Sequence, residues 1–144
     1  MKGLSIGGLQ IKVPIIQGGM GVGISLNGLA SAVANEGGVG VISSAGLGLL
    51  YRNLSNDYLE ASILGLKEEI KKAREKTRGI IGINIMVALT NFEDMVRTSI
   101  EEKVDMIISG AGLPLDLPKY LNKDSVTRLV PIVSSGRAAK IICE

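Results

Sequence analysis

Short apolar runs alternate along the chain with segments whose apolar residues recur at helical spacing. Val13–Gln17 predicts a first strand. Leu26–Glu36, rich in small residues, predicts a helix that Ser25 or Asn27 can cap and Gly37-Gly38 can end. Val39–Ile42 predicts a second strand, and Ser43–Ser55 a long loop of Gly, Ser and Asn. Leu59, Ile63, Leu66, Ile70 and Ala73 mark one face of a helix over Asp57–Arg78, stopped by Gly79, with Glu68 and Lys72 as an i,i+4 pair. Ile80–Ile85 predicts a third strand, interrupted only by Asn84. Thr90-Asn91-Phe92-Glu93 has the form of a capping box opening a helix over Phe92–Lys103. Asp105–Ser109 predicts a fourth strand, Gly110–Pro114 a turn, and Leu117–Leu121 a short helix. Leu129–Ser134 predicts a fifth strand, and Gly136–Cys143 opens a further helix.

Strands joined by helices predict an α/β protein with a parallel sheet. An open doubly wound sheet and part of a (β/α)8 barrel both fit this order. A barrel takes about 250 residues, and the five strands in these 144 residues are not enough to close one. No linker divides residues 1–144 into two domains. An unclosed sheet exposes two edges and an apolar face. A complementary C-terminal chain or a homo-oligomer is therefore the expected partner.

Composition narrows the function. The net charge is +2, and one Phe, three Tyr and no Trp leave little to stack on bases, so nucleic acid is not an expected ligand. There is no His, which removes the commonest neutral-pH base and metal ligand. Cys143 is the one cysteine, so no internal disulfide forms, and it is expected to be a buried structural thiol. Residues 1–4 lack a signal-peptide apolar region. The uncharged run Gly37–Tyr51 is glycine-rich and shorter than the ~20 apolar residues of a membrane span. These features predict a soluble, cytoplasmic protein that does not engage membranes.

In parallel α/β folds the functional loops follow the C-terminal ends of the strands. Here those ends read Gln17-Gly18-Gly19-Met20-Gly21, Ser43-Ser44-Ala45-Gly46, Asn84-Ile85-Met86, Ser109-Gly110-Ala111-Gly112 and Ser134-Ser135-Gly136. None carries a charge. Such a rim suits a neutral heteroaromatic ring and is poorly equipped for a metal. No GxGxxG and no Walker A lysine occurs. Each residue also has a plain reading: Gly18–Gly23 as a tight turn, Asn84 as a satisfied core amide, Met20 and Met86 as packing, Ser109 and Ser134 as turn caps.

Taken in order, these strand ends resemble those of the nitronate monooxygenase family, formerly 2-nitropropane dioxygenases, whose signature the FMN-dependent enoyl-acyl-carrier-protein reductases share. Pro14–Gly21, Gly37–Gly46, Gly82–Met86, Ile108–Pro114 and Val130–Ser135 carry the resemblance. It implies an α/β fold in which residues 1–144 are the N-terminal part of a single flavin-binding TIM (β/α)8 barrel domain, its first five β/α units, with FMN as cofactor. It implies that Gly18, Gly19 and Met20 line the flavin ring, that Asn84 and Met86 face its edge and face, and that Ser109 and Gly110 lie near the same pocket. The family's proposed catalytic histidine and its FMN-phosphate loops follow the fifth strand, beyond this sequence. The activity it implies is oxidation of alkyl nitronates with oxygen. Reduction of an enoyl thioester with NAD(P)H is the alternative, and a catalytically silent half-barrel is a third reading.

Overall fold

The computed structural model describes residues 2–143. Its first element is a hairpin, β1 (Leu4–Ile6) with β2 (Leu9–Ile11), paired antiparallel. Gly7 (φ 53°) and Gly8 (φ 86°) make the turn, both left-handed as a two-residue type I′ connection requires. The Gly-Gly dipeptide between apolar pairs is the signal that the sequence-based assignment above passes over.

The main sheet has four parallel strands in the order β3 (Val39–Ser43), β4 (Ile80–Met86), β5 (Met106–Gly110) and β6 (Arg128–Pro131). The segment predicted as the first strand, Val13–Gln17, joins it by a single bridge, Ile16 to Val39. Three backbone bonds hold it: Val13 N to Gly37 O at 3.0 Å, Val39 N to Ile15 O at 2.9 Å, and Gln17 N to Val39 O at 3.0 Å. It forms only this short pairing because the chain leaves the sheet immediately after Gln17.

Register decides which residues face which layer. Ile42, Ile81, Ile83, Ile85, Ile107 and Leu129 pack against the helices. Those helices are α1 (Asn27–Asn35), α3 (Tyr58–Lys76) and α4 (Phe92–Glu101). Val39, Val41 and Met106 point to the other face, where they pack on Ile11 with Ile6 and Leu9 close by. So the hairpin covers the N-terminal half of the inner face, and Arg128 Nε reaches Gly7 O at 2.9 Å from the far strand. Helices on one face only exclude a doubly wound sheet, which carries them on both. The arrangement is that of a partial barrel with its base plugged.

Close packing explains several glycines. A Cβ at Gly40 would overlap the Ala30 carbonyl, and one at Gly79 would overlap that of Ala34, so α1 lies directly on β3 and on the start of β4. Within the predicted long loop, Leu47–Leu50 forms a helix, α2, seated on α3 where Gly48 meets Tyr58 and Ser62, and Gly65 meets Tyr51. Such contacts carry no periodic signature in a four-residue helix. After β5 comes a 3-10 turn, Leu117–Tyr120, and after β6 comes α5 (Gly136–Cys143).

The caps depart from expectation. Neither Ser25 nor Asn27 caps α1 by its side chain; the N-cap is Leu26. The α1 N-terminus is held by Glu69 of α3, whose Oε2 accepts from Asn27 N (2.6 Å) and Asn27 Nδ2 (2.8 Å). Tyr51 donates its hydroxyl to the other Glu69 oxygen. A buried carboxylate is tolerable because it accepts these hydrogen bonds and faces a positive helix end. At α4 the N-cap is Asn91, without the side-chain bond a capping box would make. Asp57 does cap α3, accepting from Glu60 N at 2.8 Å, and the Glu68–Lys72 pair forms at 3.3 Å. Cys143 is exposed, because the inner side of α5 has no layer beneath it; the expectation of a buried thiol fails for that reason.

Among the described residues no helix is long and apolar enough to cross a membrane. The free backbone edges are also defined. Arg128 N and Ile132 N bond to β5, so the main chain of Leu129, Pro131 and Val133 faces away from the sheet. By the same alternation Pro14 and Ile16 face outward from the opposite edge. Each open edge therefore carries a proline where an N–H would otherwise stand.

Burial first, then the hydrogen bond and charge of Glu69, hold the Tyr51 phenol above its ordinary value. A raised acid favours its neutral form in the fold. Its contribution is complete below about pH 10 and is lost as pH rises beyond that, through the folded value. We expect Tyr51→Phe to cost about 1 kcal/mol at pH 7. Urea unfolding followed upward from pH 9 should show a shallower alkaline loss of stability in that variant than in the parent.

Candidate functional site

The C-terminal half of the inner face is left open by the hairpin. By register, Ser43 stands on it opposite Asn84, Asn84 opposite Ile108, and Met86 opposite Gly110. The loop after Gln17 lies over them.

That loop leaves the sheet through a substitution of side chain for main chain. Continued pairing would set the Gln17 carbonyl and the Gly19 amide against Val41. Instead the Gln17 side chain does both. Val41 N donates to Gln17 Oε1 at 3.1 Å, and Gln17 Nε2 donates to Val41 O at 3.0 Å. One step on, Ser43 N donates to Ser25 O at 2.9 Å. The edge-facing groups of Val39 and Val41 and the Ser43 N–H are thus satisfied, and residues 18–24 are free of the sheet.

Ser25 fixes the freed loop. It is buried, its Oγ accepts from Met20 N (2.9 Å) and from Gln17 Nε2 (3.1 Å), and it donates to Gly18 O (3.3 Å). Its own N donates to Met20 O at 3.0 Å. Gln17 and Ser25 were not among the sequence-predicted site residues. The signal for the first is a long amide closing an apolar run just before a glycine cluster. The second has no local signal, since its partners are defined only once the loop folds back.

The loop then rests on the strand ends. A Cβ on Gly19 would fall on the Asn84 Cβ and lie 2.8 Å from its Cγ, so backbone and amide side chain touch directly. A Cβ on Gly21 would lie 3.0 Å from Ala45 Cβ and 3.7 Å from Ser43 Oγ. Gly18 has nothing within 4 Å of that position, and Met20 is 62 % exposed. Asn84 O accepts from both Ser44 N and Ser44 Oγ at 3.0 Å, which anchors the β4 end. The Asn84 amide makes one long bond, Nδ2 to Ile108 O at 3.5 Å.

Of the sequence-predicted residues, Gly18, Gly19, Met20, Asn84, Met86 and Gly110 lie at this mouth. Ser109 does not join them through its hydroxyl. It sits on the helix side of β5, fully buried, and donates to Ile85 O at 3.3 Å. Period-two alternation places it there, one residue from the inward-facing Gly110. Ser134 is exposed beyond the end of β6. Ala111 takes a left-handed conformation (φ 57°) in the loop after β5, a strained geometry for a residue with a Cβ.

The donor set can be tested against a flat neutral ring. Ser43 Oγ is the one buried side-chain polar atom among the described residues that lacks a hydrogen-bond partner, and it lies under Gly21 at the mouth. Asn84 offers amide donors with one weak commitment. The exposed Met20 and Met86 supply polarizable thioethers suited to an aromatic face. No charged side chain stands at residues 17–25, 43–50, 84–90 or 109–115. These features fit a flavin ring.

A cavity of about 740 Å³ lies elsewhere, at the N-terminal ends of the strands among Lys12, Gly37, Arg74, Arg78 and Ile80. Its basic residues cluster where α3 ends, the negative pole of a helix. Arg74 is committed to Asp105 (2.7 Å) and to Gly79 O (2.9 Å). Arg74 is thus tied into the fold's base, and the opposite, neutral end is the candidate functional site.

The two central loop glycines should respond differently to a methyl group. Gly18→Ala should change stability by no more than about 0.5 kcal/mol. Gly19→Ala should cost about 1–3 kcal/mol, because the loop or Asn84 must move. Parallel thermal melts of the two variants check this.

Comparison with known proteins follows the same geometry. The nitronate monooxygenase family profile matches residues 3–144. Among solved structures, FabK from Thermotoga maritima superposes with a TM-score of 0.74 at 31% identity, covering 92% of this chain and 37% of FabK. A point mutant of the same FabK gives 0.73 at 32% identity, covering 92% and 39%. No curated protein sequence matches the chain. The chain therefore spans less than two-fifths of the length of these structures, and its sheet corresponds to part of their (β/α)8 barrel. On a match that runs over nearly every residue, the chain belongs to the nitronate monooxygenase family.

Proposed function

We propose that the chain is the N-terminal part of a flavin-binding barrel domain of an FMN-dependent oxidoreductase, and that the reaction is oxidation of an alkyl nitronate by oxygen. The observation that carries the flavin reading is the contact of Gly19 with Asn84 at a strand-end mouth without charges. Bare backbone at Gly18 and Gly19 lets a planar ring approach. Asn84, fixed through its carbonyl by Ser44, presents its amide to the ring's polar edge. Ser43 supplies a further hydroxyl. Met20 and Met86 exclude water from the ring face. Bound FMN would supply the electron transfer; these residues place the ring and tune its surroundings.

A second reading has its own support. The solved neighbours are FabK, an enoyl-acyl-carrier-protein reductase of the same family, so reduction of an enoyl thioester with NAD(P)H is the alternative. The residues that separate the two belong to the units completing the barrel. Those units, on a complementary chain segment, would also supply the FMN phosphate contacts, since residues 17–25, 43–50, 84–90 and 109–115 carry no cation.

Flavin fluorescence titration tests the cofactor. Asn84→Ala should weaken FMN binding about three- to tenfold, the worth of one hydrogen bond. FMN and riboflavin should bind the chain within about twofold of each other, because nothing here pairs with the phosphate. A strong preference for FMN would place phosphate contacts within residues 1–144 and count against the assignment. On the barrel with all its units, oxygen uptake with an alkyl nitronate would support the first chemistry. NADH oxidation dependent on an enoyl thioester would replace it with the second.

A further inference from the structure

We propose that Gln17 is a positioning residue for the ligand-binding loop: its side-chain amide acts as a substitute peptide group in the sheet and so holds Gly18–Met20 off β3 and over Asn84. The inference rests on the flavin reading for what the loop binds, and on geometry alone for how the loop is held.

A peptide group offers one acceptor and one donor in a fixed plane, and a primary amide offers the same pair. Along the β3 edge the partners follow in order. Val39 takes Ile15 O and Gln17 N from the main chain. Val41, fully buried, takes Oε1 and Nε2 of the Gln17 side chain (3.1 and 3.0 Å). Ser43 takes Ser25 O (2.9 Å). Without Gln17 the buried Val41 N–H and C=O would both be left unpaired. The least costly repair is for Gly18–Gly19 to continue the ladder, which would draw Gly19 away from Asn84. Nε2 also reaches Gly18 O at 3.4 Å and Ser25 Oγ at 3.1 Å, and the latter bond ties the same amide to the residue that pins Met20 N (2.9 Å). One side chain therefore sets both where the loop leaves the sheet and where it lands.

Two variants separate positioning from plain support of the fold. In Gln17→Ala, hydrogen exchange at the Val41 amide should accelerate or shift to a new pattern with Gly19 protected. Affinity for FMN, read by fluorescence on the folded protein, should fall at least about tenfold. Gln17→Glu is the sharper probe. Ionised, its carboxylate has no donor for Val41 O and faces that carbonyl with negative charge. Protonated, it regains one acceptor and one O–H donor in the glutamine's place. Val41 protection and FMN affinity in Gln17→Glu should therefore recover together as pH falls from 8 to 5, while the parent stays flat. If Gln17→Ala does not fold, the Gln17→Glu profile decides alone. Variants that fold and bind FMN like the parent, or Gln17→Glu without recovery in either readout, would overturn the proposal. A parent that takes up neither FMN nor riboflavin would overturn the flavin reading and this role with it; a binding parent with unaffected variants would remove only the role.

Discussion

The parallel register of the main sheet is the constraint on which the site depends. Alternate residues of each strand go to opposite layers, so a difference of one position separates a group that can meet a ligand from one that cannot. Asn84 and Met86 reach the mouth, while Ile83 and Ile85 between and beside them fill the helix-side core. Gly110 faces inward and its neighbour Ser109 is consumed in the packing layer. The same alternation puts Val39, Val41 and Met106 under the hairpin, so the inner face is filled at its base and free at its rim. A slip of one residue in any strand would bury the polar mouth and expose the isoleucines.

The helix layer keeps that register. Gly40 and Gly79 bring α1 onto the sheet at backbone contact, and a Cβ at either place would force the helix outward. The Glu69 carboxylate then links three helices, through Asn27 of α1, Tyr51 just after α2, and its own α3. Since α1 begins directly after the loop that carries Ser25, the link also sets the landing point of the glycine loop. Core packing and site geometry are thus connected by a short series of named contacts.

Much of this was legible in the sequence, for definite reasons. Long periodic segments such as Tyr58–Lys76, and apolar runs such as Ile80–Met86, announce themselves because their burial is one-sided or complete. The neutral strand ends were equally visible, and they located the mouth. What escaped depends on tertiary partners. Helix α1 is capped from 42 residues away by Glu69, which no local rule detects. The hairpin was marked by Gly7-Gly8 but overshadowed by the stronger apolar run that follows. Ser109 looked equivalent to Gly110 because strand ends are uncertain by a residue, and one residue is enough to reverse a side chain.

The sheet's open edges bear on how such a site is completed. Residues with main chain turned outward are Leu129, Pro131 and Val133 on one side, and Pro14 and Ile16 on the other. Proline removes a donor at each edge but leaves its carbonyl, so each edge accepts more readily than it donates. Two copies of the same edge would meet with donors missing on both, which weakens self-pairing. A different strand that brings its own N–H groups to Pro131 O or Pro14 O loses only the one bond that the proline cannot donate. The inner residues beside that edge, Ile108, Val130 and the 54 % exposed Ile132, stay short of full burial for want of a facing layer. By edge chemistry alone, a strand unlike these edges loses fewer hydrogen bonds than a second copy of the same edge would.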